Sequence, residues 1–176
     1  MRCETNTVAP WAGWSQADSG YSTLFPVEYV RVRQARNLNF MIDFGAVGAG
    51  IRPAMGTALG RPGCPTVLFI GDGGLMMTLG ELDTAQRCQV PMLIVCLNDQ
   101  AFGAEVLLAR RYGLPTAPAT FAGTRDLVDI ARAIGVDGRT VRDLTQLEDV
   151  PDLVRDLTGP YLLDCRIPTV TSRVHD

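Results

Sequence analysis

Two short, continuous apolar runs stand out in the middle of the chain, and each ends abruptly in small or polar residues. Residues 65–70 (PTVLFI) are followed by the sequence GDGG, and residues 91–97 (PMLIVCL) are followed by Asn98-Asp99. Between them, residues 75–87 repeat apolar positions at helical spacing. Because strands that are apolar throughout are typical of parallel sheets covered on both faces, this strand, helix, strand succession predicts an α/β fold.

The flanking sequence continues the alternation of helices and strands. Small residues dominate positions 45–60, which permits a helix whose backbone packs closely against a sheet or a ligand. The first 40 residues or so predict an irregular or weakly helical N-terminal segment. Further helices are predicted after Gly103 toward Arg111, at 126–134 and at 147–157, and short strands at 138–141 and 160–165. The chain, residues 1–176, is therefore predicted to be a single doubly wound α/β domain with a mainly parallel sheet.

Composition narrows the classes of function. The 176 residues are 47% hydrophobic and 20% charged, with a net charge of −3, so nucleic acid is not an expected partner. No apolar run approaches the roughly 20 residues that span a bilayer. The sequence begins Met1-Arg2-Cys3-Glu4 without a following apolar stretch, unlike a secretory signal. Five scattered cysteines without a CxxC pair indicate reduced thiols, so we expect a cytoplasmic protein without membrane contact.

Acidic side chains follow both central strands. Parallel strands joined by a right-handed crossover end at the same edge of the sheet, so Asp72 and Asp99 are expected to face one crevice. Carboxylate oxygens suit Mg²⁺, which completes its octahedron with phosphate oxygens and water. Gly73 and Gly74 bring backbone N–H groups to the start of the next helix, where an anion is favoured. This edge therefore predicts a site for a metal ion and a diphosphate.

Two other interpretations of these residues stay open at this point. The GDG sequence is also typical of a plain turn whose aspartate caps the next helix, although the second acidic strand end at Asn98-Asp99 favours a site. A Rossmann-like nucleotide site is disfavoured, because the chain lacks both a GxGxxG sequence after a first strand and a GK[ST] P-loop.

The same residues resemble the thiamine-diphosphate enzymes, whose motif is GDG followed about two dozen residues later by NN or ND. Here Gly71-Asp72-Gly73 and Asn98-Asp99 match that motif. Residues 44–50 (FGAVGAG) resemble the family's GxMGxGLPAA segment, residues 80–85 (GELDTA) its ELxTA helix, and residues 160–167 its last strand, GPxLIDVRV. The resemblance covers positions 13–168 and is strongest to the C-terminal diphosphate-binding domains of the acetolactate synthase and benzoylformate decarboxylase group.

The resemblance implies roles for individual positions. Asp72 and Asp99 would bind Mg²⁺ through their side chains, and Ala101 would bind it through its carbonyl. Val47 would fill the wedge that bends thiamine diphosphate. The implied cofactor-binding residues are Gly45, Ala46, Val47, Gly71, Asp72, Gly73, Gly74, Asp99, Ala101, Phe102 and Gly103.

Three positions depart from the family's pattern. The wedge is commonly a bulkier Met, Leu or Ile, whereas Val47 is smaller. Arg52 stands where the family has proline, and Asp99 replaces the commoner second asparagine. The last change adds a negative charge but keeps an oxygen ligand, so the metal site is expected to persist.

The resemblance also implies that part of the active site lies on a domain that is not in this sequence. In the family, a glutamate on a separate pyrimidine-binding domain activates the cofactor, and no counterpart is evident here. His175, the only histidine, lies one residue from the end, and we interpret Glu81 and Glu105 as helix residues. We therefore expect a partner domain, either as a separate subunit or as part of a longer chain, in an oligomer with at least two copies of each domain.

The resemblance implies that the chain is part of a 2-oxo acid decarboxylase or carboligase of the acetolactate synthase type. The small 2-oxo acid would bind largely to the partner domain. The alternative is a non-catalytic relic or regulatory subunit that keeps the fold and stabilises a partner.

Overall fold

A six-stranded, all-parallel sheet forms the centre of the molecule. The computed structural model describes residues 13–121, 123 and 126–169. The strands are β1 (Trp14–Ala17), β2 (Leu38–Phe40), β3 (Thr66–Gly71), β4 (Met92–Asn98), β5 (Asp137–Val141) and β6 (Tyr161–Arg166). They lie in the order β2-β1-β3-β4-β6-β5, and every pair of neighbours is parallel. This arrangement confirms the predicted doubly wound α/β class.

Helices cover both faces of the sheet. They are α1 (Leu24–Tyr29), α2 (Ile51–Gly60), α3 (Asp72–Met77), α4 (Leu79–Arg87), α5 (Gly103–Arg111), α6 (Leu127–Ala133) and α7 (Val150–Asp156). Successive strand residues point to opposite faces. Leu68 and Ile70 of β3 therefore pack with α2, α4 and α6, whereas Val67 belongs to the cluster that contains Val154 of α7.

The N-terminal segment corrects one prediction. Positions 13–40 contain α1 and short 3-10 turns, as an irregular or weakly helical segment would, but they also contribute β1 and β2 to the sheet. These strands escaped detection because they are only four and three residues long, and because β1 buries the polar residues Ser15 and Gln16. Residues 1–12 lie outside the described part of the chain.

Two predicted helices begin or break at different residues. The helix predicted at 75–87 already starts at Asp72 and is interrupted at Thr78, whose hydroxyl donates to the carbonyl of Gly74 at 2.9 Å. The helix permitted at 45–60 begins only at Ile51, because Gly48 has a φ of +86°. The segment before it is a loop at the carboxyl edge of the sheet.

The order of the strands defines a switch point. The chain runs from β1 outward to β2 and then returns to β3 on the other side of β1. In doubly wound sheets, ligands bind in the crevice outside the carboxyl ends of the strands at such a point. The carboxyl ends of β1, β3 and β4 are therefore the place to look for a site.

Two expectations from composition can be compared with the described residues. The four cysteines among them, Cys64, Cys88, Cys96 and Cys165, are free thiols, as predicted. No helix in the described ranges is long and apolar enough to cross a membrane. Cys3 and His175 lie outside these ranges.

Candidate functional site

A pair of buried aspartates lies at the carboxyl ends of β3 and β4. Asp72 opens α3 directly after β3, Asp99 follows the last residue of β4, and the two strands are neighbours in the sheet. Each residue is only 5% exposed. Oδ1 of Asp72 and Oδ2 of Asp99 are buried without a hydrogen-bond partner. Both aspartates therefore lie at the same edge of the sheet, after the ends of neighbouring strands.

Burial shifts the ionisation of both carboxylates, and the charge of Asp99 adds to the shift at Asp72. Burial, followed by the negative charge of Asp99, raises the pKa of Asp72 from 3.8 to about 7. Burial also raises the pKa of Asp99, although a hydrogen bond from the backbone N–H of Ala101 opposes this effect. Two buried acids with unpartnered oxygens favour a cation between them, since a cation stabilises both charged forms.

Two carboxylates alone favour a cation that takes its remaining ligands from outside the protein. No cluster of three or more His, Cys, Asp or Glu side chains that could hold a metal ion occurs in the described part of the chain. Mg²⁺ is often held by one or two carboxylates plus phosphate oxygens and waters, so two aspartates suffice for it. Ala101 is buried next to Asp99, where a backbone carbonyl could join the set.

A third buried acid supports the second strand end. Asp164 of β6 is fully buried, accepts a hydrogen bond from Nδ2 of Asn98 at 2.7 Å and forms an ion pair with Arg166 at 2.7 Å. Oδ1 of Asn98 in turn accepts from the backbone N–H of Gln100 at 3.2 Å. This network holds the turn that contains Asp99, and the charge of Asp164 further raises the pKa of Asp72.

A cleft of about 400 Å³, part of it open to solvent, lies beside the acidic pair. Eight of the predicted site residues line it: Val47, Gly71, Gly73, Gly74, Asp99, Ala101, Phe102 and Gly103. Gly45 and Ala46 are not among the lining residues, and Asp72 faces a smaller cleft together with Asn98 and Arg166. The structure therefore gathers most of the predicted residues around one cleft but places Asp72 in the lining of a second, smaller one.

Two glycines in the first turn of α3 have no room for a side chain. A Cβ on Gly73 would lie 2.4 Å from Cε1 of Phe102, and a Cβ on Gly74 would lie 2.6 Å from Oδ2 of Asp18. Phe102 packs edge-on against Phe121, with 5.0 Å between the ring centroids. The Gly73-Gly74 backbone is thus pressed between an aromatic ring and a carboxylate at the floor of the cleft.

Several residues at the site were missed by the sequence analysis. Asp18, at the end of β1, is fully buried and accepts hydrogen bonds from the N–H groups of Gly48 and Gly50. Ser19, Gly20, Tyr21, Ser22 and Phe25 line the cleft. The available signal was an acid closely followed by glycine after a short segment, as at Asp72, but the preceding residues lack the apolar run that marks a strand.

The departures from the family pattern lie at different depths. Arg52 is on the outer side of α2 and pairs with Glu81 of α4 at 3.0 Å, so its charge stays out of the cleft. Glu105, in the first turn of α5, lines the cleft but is exposed. Val47 is partly buried and lines the cleft.

Comparison with known proteins decides the family. Residues 18–165 match the model of the thiamine pyrophosphate enzyme C-terminal TPP binding domain. The chain belongs to this family. Its cofactor is therefore thiamine diphosphate, another name for thiamine pyrophosphate.

Relatives of this TPP binding domain are much longer proteins. It is 28% identical over 155 residues to the acetolactate synthase isozyme 2 large subunit of Escherichia coli, covering 85% of this chain and 28% of that protein. It is 29% identical over 157 residues to acetolactate synthase 2, chloroplastic, of Nicotiana tabacum, covering 85% and 24%. The chain thus spans about a quarter of the length of these curated relatives.

Solved structures share the fold. Benzoylformate decarboxylase from Polynucleobacter necessarius superposes with a TM-score of 0.78 at 19% identity, covering 90% of this chain and 31% of that one. At this identity the likeness concerns the fold alone. The fit of the cofactor to this TPP binding domain rests instead on its own orphaned carboxylate oxygens and its crowded glycines.

Proposed function

We propose that this chain binds thiamine diphosphate through Mg²⁺ at the carboxyl ends of β3 and β4. The observation that carries the proposal is the buried acidic pair, because Asp72 and Asp99 each keep a carboxylate oxygen without a hydrogen-bond partner. Burial, followed by the neighbouring charge of Asp99, disfavours the charged form of Asp72 and raises its pKa to about 7. A divalent cation bound by the two aspartates would stabilise their charged forms, and it could bind a diphosphate at the same time.

The predicted site residues have separate tasks in this proposal. Asp72, Asp99 and the carbonyl of Ala101 hold the ion, and the backbone N–H groups of Gly73 and Gly74 meet the diphosphate. Phe102 and Gly103, at the start of α5, close the other side of the diphosphate site. The loop of Gly45, Ala46 and Val47 supports the cofactor's rings, with Val47 as the wedge.

The proposed reaction is decarboxylation or carboligation of a small 2-oxo acid, as the named activities of the relatives suggest. Bound thiamine diphosphate supplies a nucleophilic carbon and an electron sink for the carbonyl substrate. This chain's residues hold and orient the cofactor. Activation is assigned to a glutamate of a pyrimidine-binding domain, because Glu105, the other carboxylate lining the cleft, is exposed to solvent.

We further propose that the pyrimidine-binding domain is a separate subunit or the remainder of a longer chain, in a cytoplasmic assembly with at least two copies of each domain. The support is the length of the relatives, about four times that of the matched region. The partner would also provide most substrate contacts.

Calorimetry tests the binding site. Thiamine diphosphate is titrated into the parent chain with Mg²⁺ and again with a chelator. We expect heat only with Mg²⁺, and none for Asp72→Asn, which removes a charged ligand of the ion. The matched control is Asp156→Asn, at the exposed end of α7, which should bind like the parent. Undiminished binding by folded Asp72→Asn would refute the assignment.

A second candidate function is a cofactor-binding subunit that only stabilises its partner. One observation favours it: Asp99 and the exposed Glu105 are the only carboxylates lining the cleft in the described part of the chain. Turnover by the reconstituted assembly separates the two. A complex that binds thiamine diphosphate and contains the partner's glutamate, yet converts no 2-oxo acid, would support the stabilising role.

A further inference from the structure

Asp18 occupies the switch point of the sheet. It follows β1, its backbone N–H donates to the carbonyl of Phe69 in the neighbouring strand at 2.8 Å, and its own carbonyl accepts from the hydroxyl of Thr23. The side chain is fully buried. A buried carboxylate is unfavourable unless its hydrogen-bonding capacity is used, so the partners of Asp18 indicate its task.

Both oxygens of the Asp18 carboxylate bind one loop. Oδ2 accepts from the backbone N–H of Gly48 at 2.7 Å, and Oδ1 accepts from the backbone N–H of Gly50 at 2.8 Å. Burial raises the pKa of this carboxyl, and the interactions that lower it are all with backbone N–H groups. Asp18 is therefore a dedicated anchor for positions 48–50.

The same carboxylate abuts the floor of the cleft. A Cβ on Gly74 would lie 2.6 Å from Oδ2 of Asp18, and a Cβ on Gly48 would lie 2.9 Å from the carbonyl oxygen of Gly74. Gly74 is also held independently of Asp18, since it belongs to α3 and its carbonyl accepts from the hydroxyl of Thr78 at 2.9 Å. The floor is thus fixed by the helix, and the loop is fixed to the floor through Asp18.

Apart from Asp18, the segment is held to the rest of the domain at its two ends. The backbone N–H of Met41 donates to the carbonyl of Ala17 in β1 at 2.9 Å, and α2 begins at the fully buried Ile51. Within the segment, the backbone N–H of Val47 bonds to Gly45 at 2.9 Å and that of Ala49 to Ala46 at 3.1 Å, both local contacts. These bonds shape the loop but do not tie it to the sheet. Between these two ends, the hydrogen bonds from Gly48 and Gly50 to the carboxylate of Asp18, together with the close packing of Gly48 on Gly74, set the position of Val47 relative to Gly74.

We propose that Asp18 is a positioning residue that sets the distance between the Val47 wall of the cleft and the Gly73-Gly74 floor. The inference rests on the proposed function and assigns Asp18 the task of matching the rings of the cofactor to its diphosphate. Asp18 acts through the loop and does not touch the metal ligands.

Two probes distinguish positioning from a general effect on folding. Thiamine diphosphate with Mg²⁺ uses both the wall and the floor, whereas inorganic pyrophosphate with Mg²⁺ uses the floor alone. In Asp18→Asn an amide N–H₂ faces one backbone N–H, so one hydrogen bond is lost and two donors oppose each other. We expect thiamine diphosphate to bind about tenfold more weakly or worse, and pyrophosphate to bind as in the parent.

A second variant keeps the test valid if Asp18→Asn does not fold. Gly50→Ala retains the carboxylate but places a Cβ 2.9 Å from Cα of Asp18, which pushes the loop away from it. The matched control is Gly56→Ala in α2, where a Cβ meets nothing within 4 Å. Gly50→Ala should show the same selective loss for thiamine diphosphate, and Gly56→Ala should show none.

The outcomes are distinct. Parental affinity for thiamine diphosphate in a folded Asp18→Asn or Gly50→Ala variant overturns the positioning role alone. An equal loss for both probes also overturns it, because that pattern indicates general damage. If the parent binds neither probe, the proposed function fails, and this inference fails with it.

Discussion

The ionisation of Asp72 links the acidic pair to stability. An aspartate in the unfolded chain titrates near 3.8, whereas Asp72 in the folded chain titrates at about 7. Between these values the folded state keeps a proton that the unfolded state has released. The contribution of Asp72 to the free energy of unfolding is therefore fully present below pH 3.8. It is lost as the pH rises through about 7.

Thermal unfolding without cofactor and with a chelator checks this sign. We expect the Tm of the parent to fall more steeply between about pH 5 and about pH 8 than the Tm of Asp72→Asn, which cannot ionise there. Added Mg²⁺ with thiamine diphosphate should raise the parent's Tm most at the upper end of this range, since protons compete with the ion. If the Tm of the parent and that of Asp72→Asn changed with pH in parallel, the proposed link between the ionisation of Asp72 and stability would be contradicted.

Single residues also show how far the sequence was informative. Asp72 and Asp99 were predictable because each follows a strand that its apolar run reveals. Asp18 follows a strand of four residues that includes Ser15 and Gln16, so nothing marked it as a strand end. Asp164 lies inside a predicted strand, but its partner Asn98 is 66 positions away and could only be found in three dimensions.

At the scale of elements, β6 supports β4 through a buried ion pair. Asp164 is fully buried and the Arg166 side chain is 14% exposed, with 2.7 Å between Oδ2 and Nη2. Asp164→Asn removes the charge that balances Arg166, so we expect it to lower the free energy of unfolding by about 3 kcal/mol. Urea denaturation measures the change.

The exposed pair between Arg155 and Asp152 is the control for that prediction. It has the same 2.7 Å separation, but its side chains are 55% and 72% exposed, so solvent screens the interaction. Asp152→Asn should leave the urea midpoint nearly unchanged. Equal effects of Asp164→Asn and Asp152→Asn would show that burial of the β6 pair contributes nothing special.

Helix boundaries were the weakest part of the sequence analysis for a physical reason. Periodicity located α4 and α6, where apolar positions face the sheet. It could not show that α3 starts at Asp72 or breaks at Thr78, because both features depend on local hydrogen bonds at the cleft. Elements were therefore predictable where burial dominates and less so at the site.

At the scale of the whole molecule, the proposed function gives this domain one side of an active site. The carboxyl edge of the sheet presents the acidic pair, the crowded glycines and the loop anchored by Asp18, while the matched relatives extend far beyond this region. We therefore propose that this chain binds the cofactor and that another domain activates it.

Activity of the purified chain tests this division of labour. With saturating thiamine diphosphate and Mg²⁺, we expect negligible turnover of 2-oxo acids such as pyruvate, because no buried glutamate faces the cleft in the described residues. Addition of a pyrimidine-domain partner that co-purifies with the chain should restore turnover. Substantial turnover by the chain alone would contradict the assignment of activation to a partner.

The central claim is that Asp72 and Asp99 together hold a divalent ion against the diphosphate. Crystals grown with thiamine diphosphate and Mn²⁺ in place of Mg²⁺ test it directly through anomalous scattering from the metal. We expect one peak at about 2.1 Å from a carboxylate oxygen of each aspartate and from an oxygen of the diphosphate. A bound cofactor without an ion between these two side chains would contradict it.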